Sequence, residues 1–244
     1  MPVMKVGPGR ALLGGGGNYN DLVMGTGPIA YWPQSESSGL TAYCLTNPAM
    51  NGTYTGVTLA NDNTGPFGTP APFYDGTNDY LNVLTAALIA ALDGDEGTFA
   101  MWVRMANAGV WTDGTNRFGV WWAVPGNDDY ISMGKPVNNT WRMRYSGNGV
   151  IKTVDAAIGV ATGASWFHAA ITWSKAADEF KGYINGAQVG LTQTILTMWD
   201  EVMDKALIGS YVPEPALPTH GWLGPAGLWG SALPQPTIAT LALV

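Results

Sequence analysis

The chain carries 18 acidic residues and two histidines, and what they could do depends on spacing. Retaining hydrolysis of a glycan takes two carboxylates about 5 Å apart, one acting as acid and one as nucleophile. No such pair falls on any strand-like run. Asp93, Asp95 and Glu96 follow an Ala-rich run and read as a solvated loop, while Asp178-Glu179 sits at a strand edge. His168 and His220 have no Ser-His-Asp spacing and no Gly-x-Ser-x-Gly elbow to recruit them, so His168 reads as a packing residue. These residues argue against an enzyme. Sugar binding asks for something else: an exposed aromatic ring as a stacking platform, with Asn or Asp beside it. Trp111 with Asp113 and Asn116, and Trp141 with Asn138 and Asn139, are the local pairings of that kind. The competing reading is that these indoles, among eleven in the chain, fill a core or an inter-subunit contact.

The elements that must position such residues are short strands. Trp166–Trp173 and Phe180–Val189 flank and contain the Asn185-Gly186 pair, a strong hairpin signal because both turn residues must take positive φ. In Trp166–Trp173, Phe167, Ala169, Ile171 and Trp173 share one face, and Trp166, His168, Ala170 and Thr172 share the other. Phe99, Met101 and Val103 alternate with Ala100, Trp102 and Arg104 in the same way. Further runs cover Tyr31-Trp32, Gly52–Leu59, Phe73-Tyr74, Tyr80–Val83, Arg117–Val124, Tyr130–Met133, Trp141–Tyr145, Ala206–Ile208 and Gly221–Trp229. Only Leu84–Leu92 reads as a helix, stopped by Gly94. With 33 Gly, 16 Pro and 46% hydrophobic residues, roughly eleven to thirteen strands in a two-sheet sandwich are expected.

Residues 1–28 differ, with Gly14-Gly15-Gly16-Gly17, two Gly-Pro pairs and no apolar period. Such an arm cannot by itself offset its ordering entropy. It is expected to lie on a neighbouring subunit through Val3, Val6, Leu12, Leu13, Leu22 and Val23, leaving 29–244 as the sandwich. The net charge of −7, without Lys/Arg-rich stretches, disfavours nucleic acid or an anionic membrane as partner. Cys44 is the only cysteine, so there is neither an intrachain disulfide nor a cysteine-based zinc site. The first ten residues lack the apolar core of a signal peptide, so synthesis in a cytoplasm is expected.

Several motifs occur together in a recognisable order. Phe73-Tyr74-Asp75-Gly76-Thr77-Asn78-Asp79-Tyr80-Leu81 resembles the F-D-G-x-x-D-Y-V signature of laminin G-like, concanavalin A-like jelly-roll domains. Thr98–Arg104 is similar to that family's F-T-I-x-x-W-V strand, and Trp166–Thr172 to its W-H-H-V-A-V-T strand. Phe180–Val189 resembles its Y-V-N-G hairpin, Leu207-Ile208-Gly209 and Gly221–Trp229 its closing segment, and Tyr31–Gly39 its opening. The resemblance spans residues 31 to about 240 and implies an all-β antiparallel jelly roll. It also implies calcium as the family's usual ion, with Asp75, Asp79, Asp128 and Asp129 as available ligands. Asp75 and Asp79 read rather as capping their own turn, and Tyr43-Cys44-Leu45 stands where the family often has Asp, so no cofactor is expected. Family members serve as lectins, adhesion modules, glycanase accessory domains and virion surface proteins. The leading expectation is a non-enzymatic virion protein, a bacteriophage capsid decoration made in the host cytoplasm and docked on other virion subunits. The alternative is a carbohydrate-binding or adhesion module, and a glycan hydrolase comes last.

Overall fold

A computed structural model describes residues 18–62, 65–136, 140–159, 164–211 and 216–243. In chain order the first strands are β1 (Ala30–Trp32), β2 (Thr41–Ala42), β3 (Gly52–Thr55), β4 (Thr58–Asp62), β5 (Ala71–Asp75) and β6 (Tyr80–Asn82). Next come β7 (Glu96–Met105), β8 (Arg117–Ala123), β9 (Tyr130–Lys135), β10 (Thr140–Gly147) and β11 (Val150–Ala157). The last are β12 (Phe167–Ser174), β13 (Glu179–Ile184), β14 (Ala187–Gln193), β15 (Lys205–Ile208) and β16 (His220–Trp229). Four short helices are described: α1 (Tyr19–Met24), α2 (Ala86–Ala91), α3 (Ala108–Thr112) and α4 (Gln235–Leu241).

The strands form two antiparallel eight-stranded sheets. Sheet A runs β14-β13-β12-β7-β16-β5-β4, with β1 also paired to β16; sheet B runs β11-β10-β9-β8-β15-β6-β3-β2. The jelly-roll sandwich is therefore as expected, with more strands than the sequence suggests. The surplus has physical reasons. Gly52–Leu59 reads as one strand, but Gly56 turns the chain at φ +74°, so β3 joins sheet B and β4 joins sheet A. A side chain on Gly56 would meet the Asp79 carboxylate, so the turn needs a glycine on both counts. Strand β11, Val-Ile-Lys-Thr-Val-Asp-Ala-Ala, lacks an aromatic marker and is half exposed, which hides it from a pattern reading.

The inner faces meet in one large core. Phe99, Met101 and Val103 of β7 and Phe167, Ala169, Ile171 and Trp173 of β12 point into it, as their alternation predicts. Trp32, Trp111, Trp122, Trp141 and Trp173 lie there below 2% exposure. Truncating any one of them to Ala would cost about 3–5 kcal/mol.

The other face of sheet A is covered too. Ala100 and Trp102 of β7 and Ala170 of β12 pack with Tyr19 and Val23 of α1 and Ile238 and Leu241 of α4. The Trp102 Nε1–H donates to the Tyr19 hydroxyl at 3.0 Å, and that hydroxyl donates to the Leu241 carbonyl at 3.0 Å. Trp229 Nε1–H donates to Thr26 Oγ1 at 2.9 Å. This corrects the expectation for the arm. Residues 18–28 belong to the sandwich: Val23 is 1% exposed in its own domain and Leu22 packs against the same cluster. Val23 is thereby taken up within its own domain, and Leu22 is half-buried there. Val3, Val6, Leu12 and Leu13 lie outside the described residues. No described helix is long and apolar enough to cross a membrane.

Candidate functional site

Sheet B's outer face brings a partly exposed aromatic ring, Phe118, beside polar side chains that include Asn116. In β10, Trp141, Met143 and Tyr145 point into the core, which sends Arg142 and Arg144 outward. In the neighbouring β9, Ile131 and Met133 point inward, leaving Ser132 and Gly134 on the outer face. Next to it, β8 has a bulge between Phe118 and Val120, which brings Phe118 and Trp121 to the same outer side. The result is a shallow, open depression lined by Asn116, Phe118, Ser132, Gly134, Pro136, Arg142 and Arg144. Its floor is small residues, one wall is a phenyl ring and the opposite wall is two guanidiniums.

Aromatic packing holds the phenyl wall. Phe118 lies edge-on to Trp121 at 5.4 Å and tilted against Tyr211 at 5.3 Å, and Trp121 stacks on Tyr130 at 4.5 Å. The guanidinium wall is held differently at its two members. Arg142 is clamped by Asp155 of β11 through Nε and Nη2, both at 2.7 Å. The Arg144 guanidinium lies beside the Tyr130 hydroxyl and interacts with it electrostatically. Burial raises the Tyr130 pKa and the nearby Arg144 charge opposes it. Both Arg144 Nε and Trp121 Nε1 are buried without a hydrogen-bond partner.

Of the sequence-predicted sugar residues that are described, only Asn116 lines this depression. Trp111 and Trp141 are fully buried and cannot stack on a ligand. Trp111 sits on α3, whose N-cap Asn107 accepts from Val110 N–H, and its indole donates to the Ile158 carbonyl at 3.2 Å. Trp141 shares the inward parity of Met143 and Tyr145, a pattern that already assigns it to the core. Asn138 and Asn139 lie outside the described residues. Asp113 accepts from Arg117 at 2.7 Å and from Lys135 at 2.9 Å. Burial pushes its carboxyl up, but the bonds from Arg117, Lys135 and the Thr115 N–H outweigh this and hold it at about 2.

The calcium candidates serve the backbone. Asp79 accepts from Asp75 N–H at 2.7 Å and Asp75 from Thr77 N–H at 2.7 Å, so both cap their turn as expected. Asp129 is buried and accepts from the N–H groups of Asn148 and Asp200, tying the β9–β10 end to a distant loop. The Asp128 side chain is exposed. No group of three or more His, Cys, Asp or Glu side chains suited to a metal occurs among the described residues. His168 is buried against Trp102, with Nδ1 unpartnered, and burial lowers its pKa to about 3. His220 is half-buried, and its pKa is lowered by burial and by Arg117.

A second, polar pocket opens on sheet A, lined in part by Glu96, Ser174, Glu179 and Lys181. Its two carboxylates are already engaged, Glu96 by the Ala232 N–H and Glu179 by Lys181. Its one aromatic side chain, Tyr183, is 3% exposed and offers no stacking face.

Known structures share this architecture. Domain 4 of a GH43 extracellular arabinanase from Geobacillus stearothermophilus, in complex with arabinotriose, matches at TM-score 0.59 and 16% identity, over 88% of this chain and 98% of that one. The receptor-binding domain of botulinum neurotoxin C/D mosaic serotype matches at TM-score 0.67 and 13% identity, over 89% of this chain and 51% of that one. A Trypanosoma rangeli sialidase in complex with the inhibitor DANA matches at TM-score 0.63 and 11% identity, over 88% of this chain. This chain spans only 32% of that sialidase. Identities this low show a shared fold alone. No curated protein matches the chain in sequence. Residues 75–239, two thirds of the chain, match the laminin G-type sequence profile described as the concanavalin A-like lectin/glucanases superfamily. With the motifs from Tyr31 onward and the paired eight-stranded sheets, the chain belongs to the concanavalin A-like lectin/glucanases superfamily.

Proposed function

We propose that the protein is a carbohydrate-binding module that recognises a glycan through the outer face of sheet B and does not cut it. The depression walled by Phe118 and by Arg142 and Arg144 carries this reading. A pyranose presents an apolar C–H face, which suits a phenyl ring, and a rim of hydroxyls, which suits Arg, Asn and Ser donors. The arabinotriose held by the arabinanase domain supports the same reading from a chain of matching length. Among the described residues the depression's lining includes no carboxylate, and the nearby Asp113 and Asp155 are both ion-paired, which favours binding over hydrolysis.

The size of the depression sets the strength. A hexose has about 12 non-hydrogen atoms, and at about 0.3 kcal/mol each this gives about 4 kcal/mol, a Kd near 1 mM. Useful attachment therefore needs several copies acting together. The virion reading supplies such copies but relied on an arm whose Val23 now lies in the domain's own core. The carbohydrate reading takes precedence.

The test is a glycan array probed with a multimerised form of the protein, alongside its Phe118→Ala variant. Specific spots are expected for the parent and a loss of about tenfold or more for the variant. Signal that survives Phe118→Ala would place binding elsewhere. Incubation with the bound oligosaccharides should leave them intact, and release of shorter products would overturn the non-catalytic part.

A further inference from the structure

We infer that the depression selects a sugar bearing a carboxylate, held by Arg144 while the ring lies on Phe118; this rests on the glycan-binding reading above. The two arginines lining it are not equivalent. Arg142 already has its counterion, with two parallel bonds to Asp155 at 2.7 Å. Arg144 has none among the described residues: the uncharged Tyr130 hydroxyl is beside it, and no described carboxylate pairs with it. Its Nε is buried without an acceptor, so the guanidinium is partly desolvated while its charge stays uncompensated. That state is costly in the free protein and is relieved by an incoming anion. The setting is also unusual for this chain. Net charge is −7, yet the described lining residues include two guanidiniums and no carboxylate.

The anion must fit a shallow trough beside a phenyl ring, which suits an acidic sugar. A planar carboxylate matches the guanidinium fork with two parallel bonds, whereas a sulfate ester does not share that planarity. Hexuronic acids and nonulosonic acids share this group, so both are covered.

The experiment titrates the intact protein, followed by amide NMR, with trigalacturonic acid and with α2,3-sialyllactose. Each is compared with its methyl ester, and galactose 6-sulfate is a third arm. At least one carboxylate form should bind about tenfold or more tightly than its ester, and weaken as salt rises. Arg144→Gln should remove that preference, and Arg144→Lys should retain part of it. Phe118→Ala should weaken acid and ester alike. Acid and ester bound equally, with Phe118→Ala weakening both, would overturn the carboxylate assignment and leave the glycan site standing. Sulfate bound as tightly as carboxylate would also overturn it. Binding of neutral glycans lost with Phe118→Ala but no binding of either acid would do the same. No binding of any glycan would remove both readings.

Discussion

His168 shows how a single side chain can be bound into a fold without chemistry. It is buried between strands, its ring edge-on to Trp102 at 5.3 Å, and burial lowers its pKa from 6.5 to about 3. The folded chain therefore holds it neutral, while the unfolded chain takes up a proton near pH 6.5. Its contribution to stability is complete above about pH 6.5 and is lost as the pH falls toward 3, at up to about 1.4 kcal/mol per pH unit. Urea unfolding at pH 7.5, 5.5 and 4.0 should show this decline, and His168→Phe should flatten it. An unchanged slope in the variant would show that the histidine is not held neutral. Asp113 acts at lower pH. Its folded pKa is depressed to about 2, so its ion pairs with Arg117 and Lys135 persist above about pH 4 and fail as the pH drops to 2. The group is partly solvated, which limits Asp113→Asn to about 1 kcal/mol at neutral pH, vanishing near pH 2.

Among elements, the β13–β14 hairpin makes the sharpest demand on sequence. Asn185 and Gly186 take φ +47° and +79°, the two positive values of a type I′ turn, and Ile184 pairs with Ala187. A side chain at Gly186 would also strike Ala239 of α4 at 2.6 Å. Gly186→Val combines backbone strain with that clash and should destabilise by about 2–4 kcal/mol in a thermal or urea melt. A melt like the parent's would contradict the turn assignment. Helix α1 has a similar test. A chain beginning at Ile29 loses Tyr19 and Val23 from the sheet A cover and should be at least about 3 kcal/mol less stable than one beginning at Asn18. Equal stability would return residues 18–28 to the role of a dispensable arm. Strands with alternating aromatics, such as β7, β10 and β12, are legible because a period of two assigns each side chain to a face. The candidate face is less so. The bulge at Gly119 puts Phe118 and Trp121, three apart, on one side, and plain alternation assigns them to opposite sides. Arg142 and Arg144 are legible from the Trp-Arg-Met-Arg-Tyr pattern, which also excludes Trp141 as an exposed platform. Tyr211 joins from a distant loop, and nothing local in the sequence announces it.

For the whole molecule, the two sheets have different outer surfaces. Sheet A's outer face is covered in part by α1 and α4, while sheet B's outer face displays a small aromatic cluster beside two arginines. A fold shared by binding domains and domains of enzymes leaves activity to the site, and here the site offers stacking and hydrogen bonding. The most direct test is to titrate an array-identified oligosaccharide into isotopically labelled protein and map the amide shifts. Perturbations concentrated at Phe118, Trp121, Ser132, Gly134, Arg142 and Arg144 are predicted, with the sheet A pocket around Ser174 and Glu179 unmoved. Shifts centred on the sheet A pocket, or no saturable shifts anywhere, would contradict the claim that sheet B's outer face binds glycan.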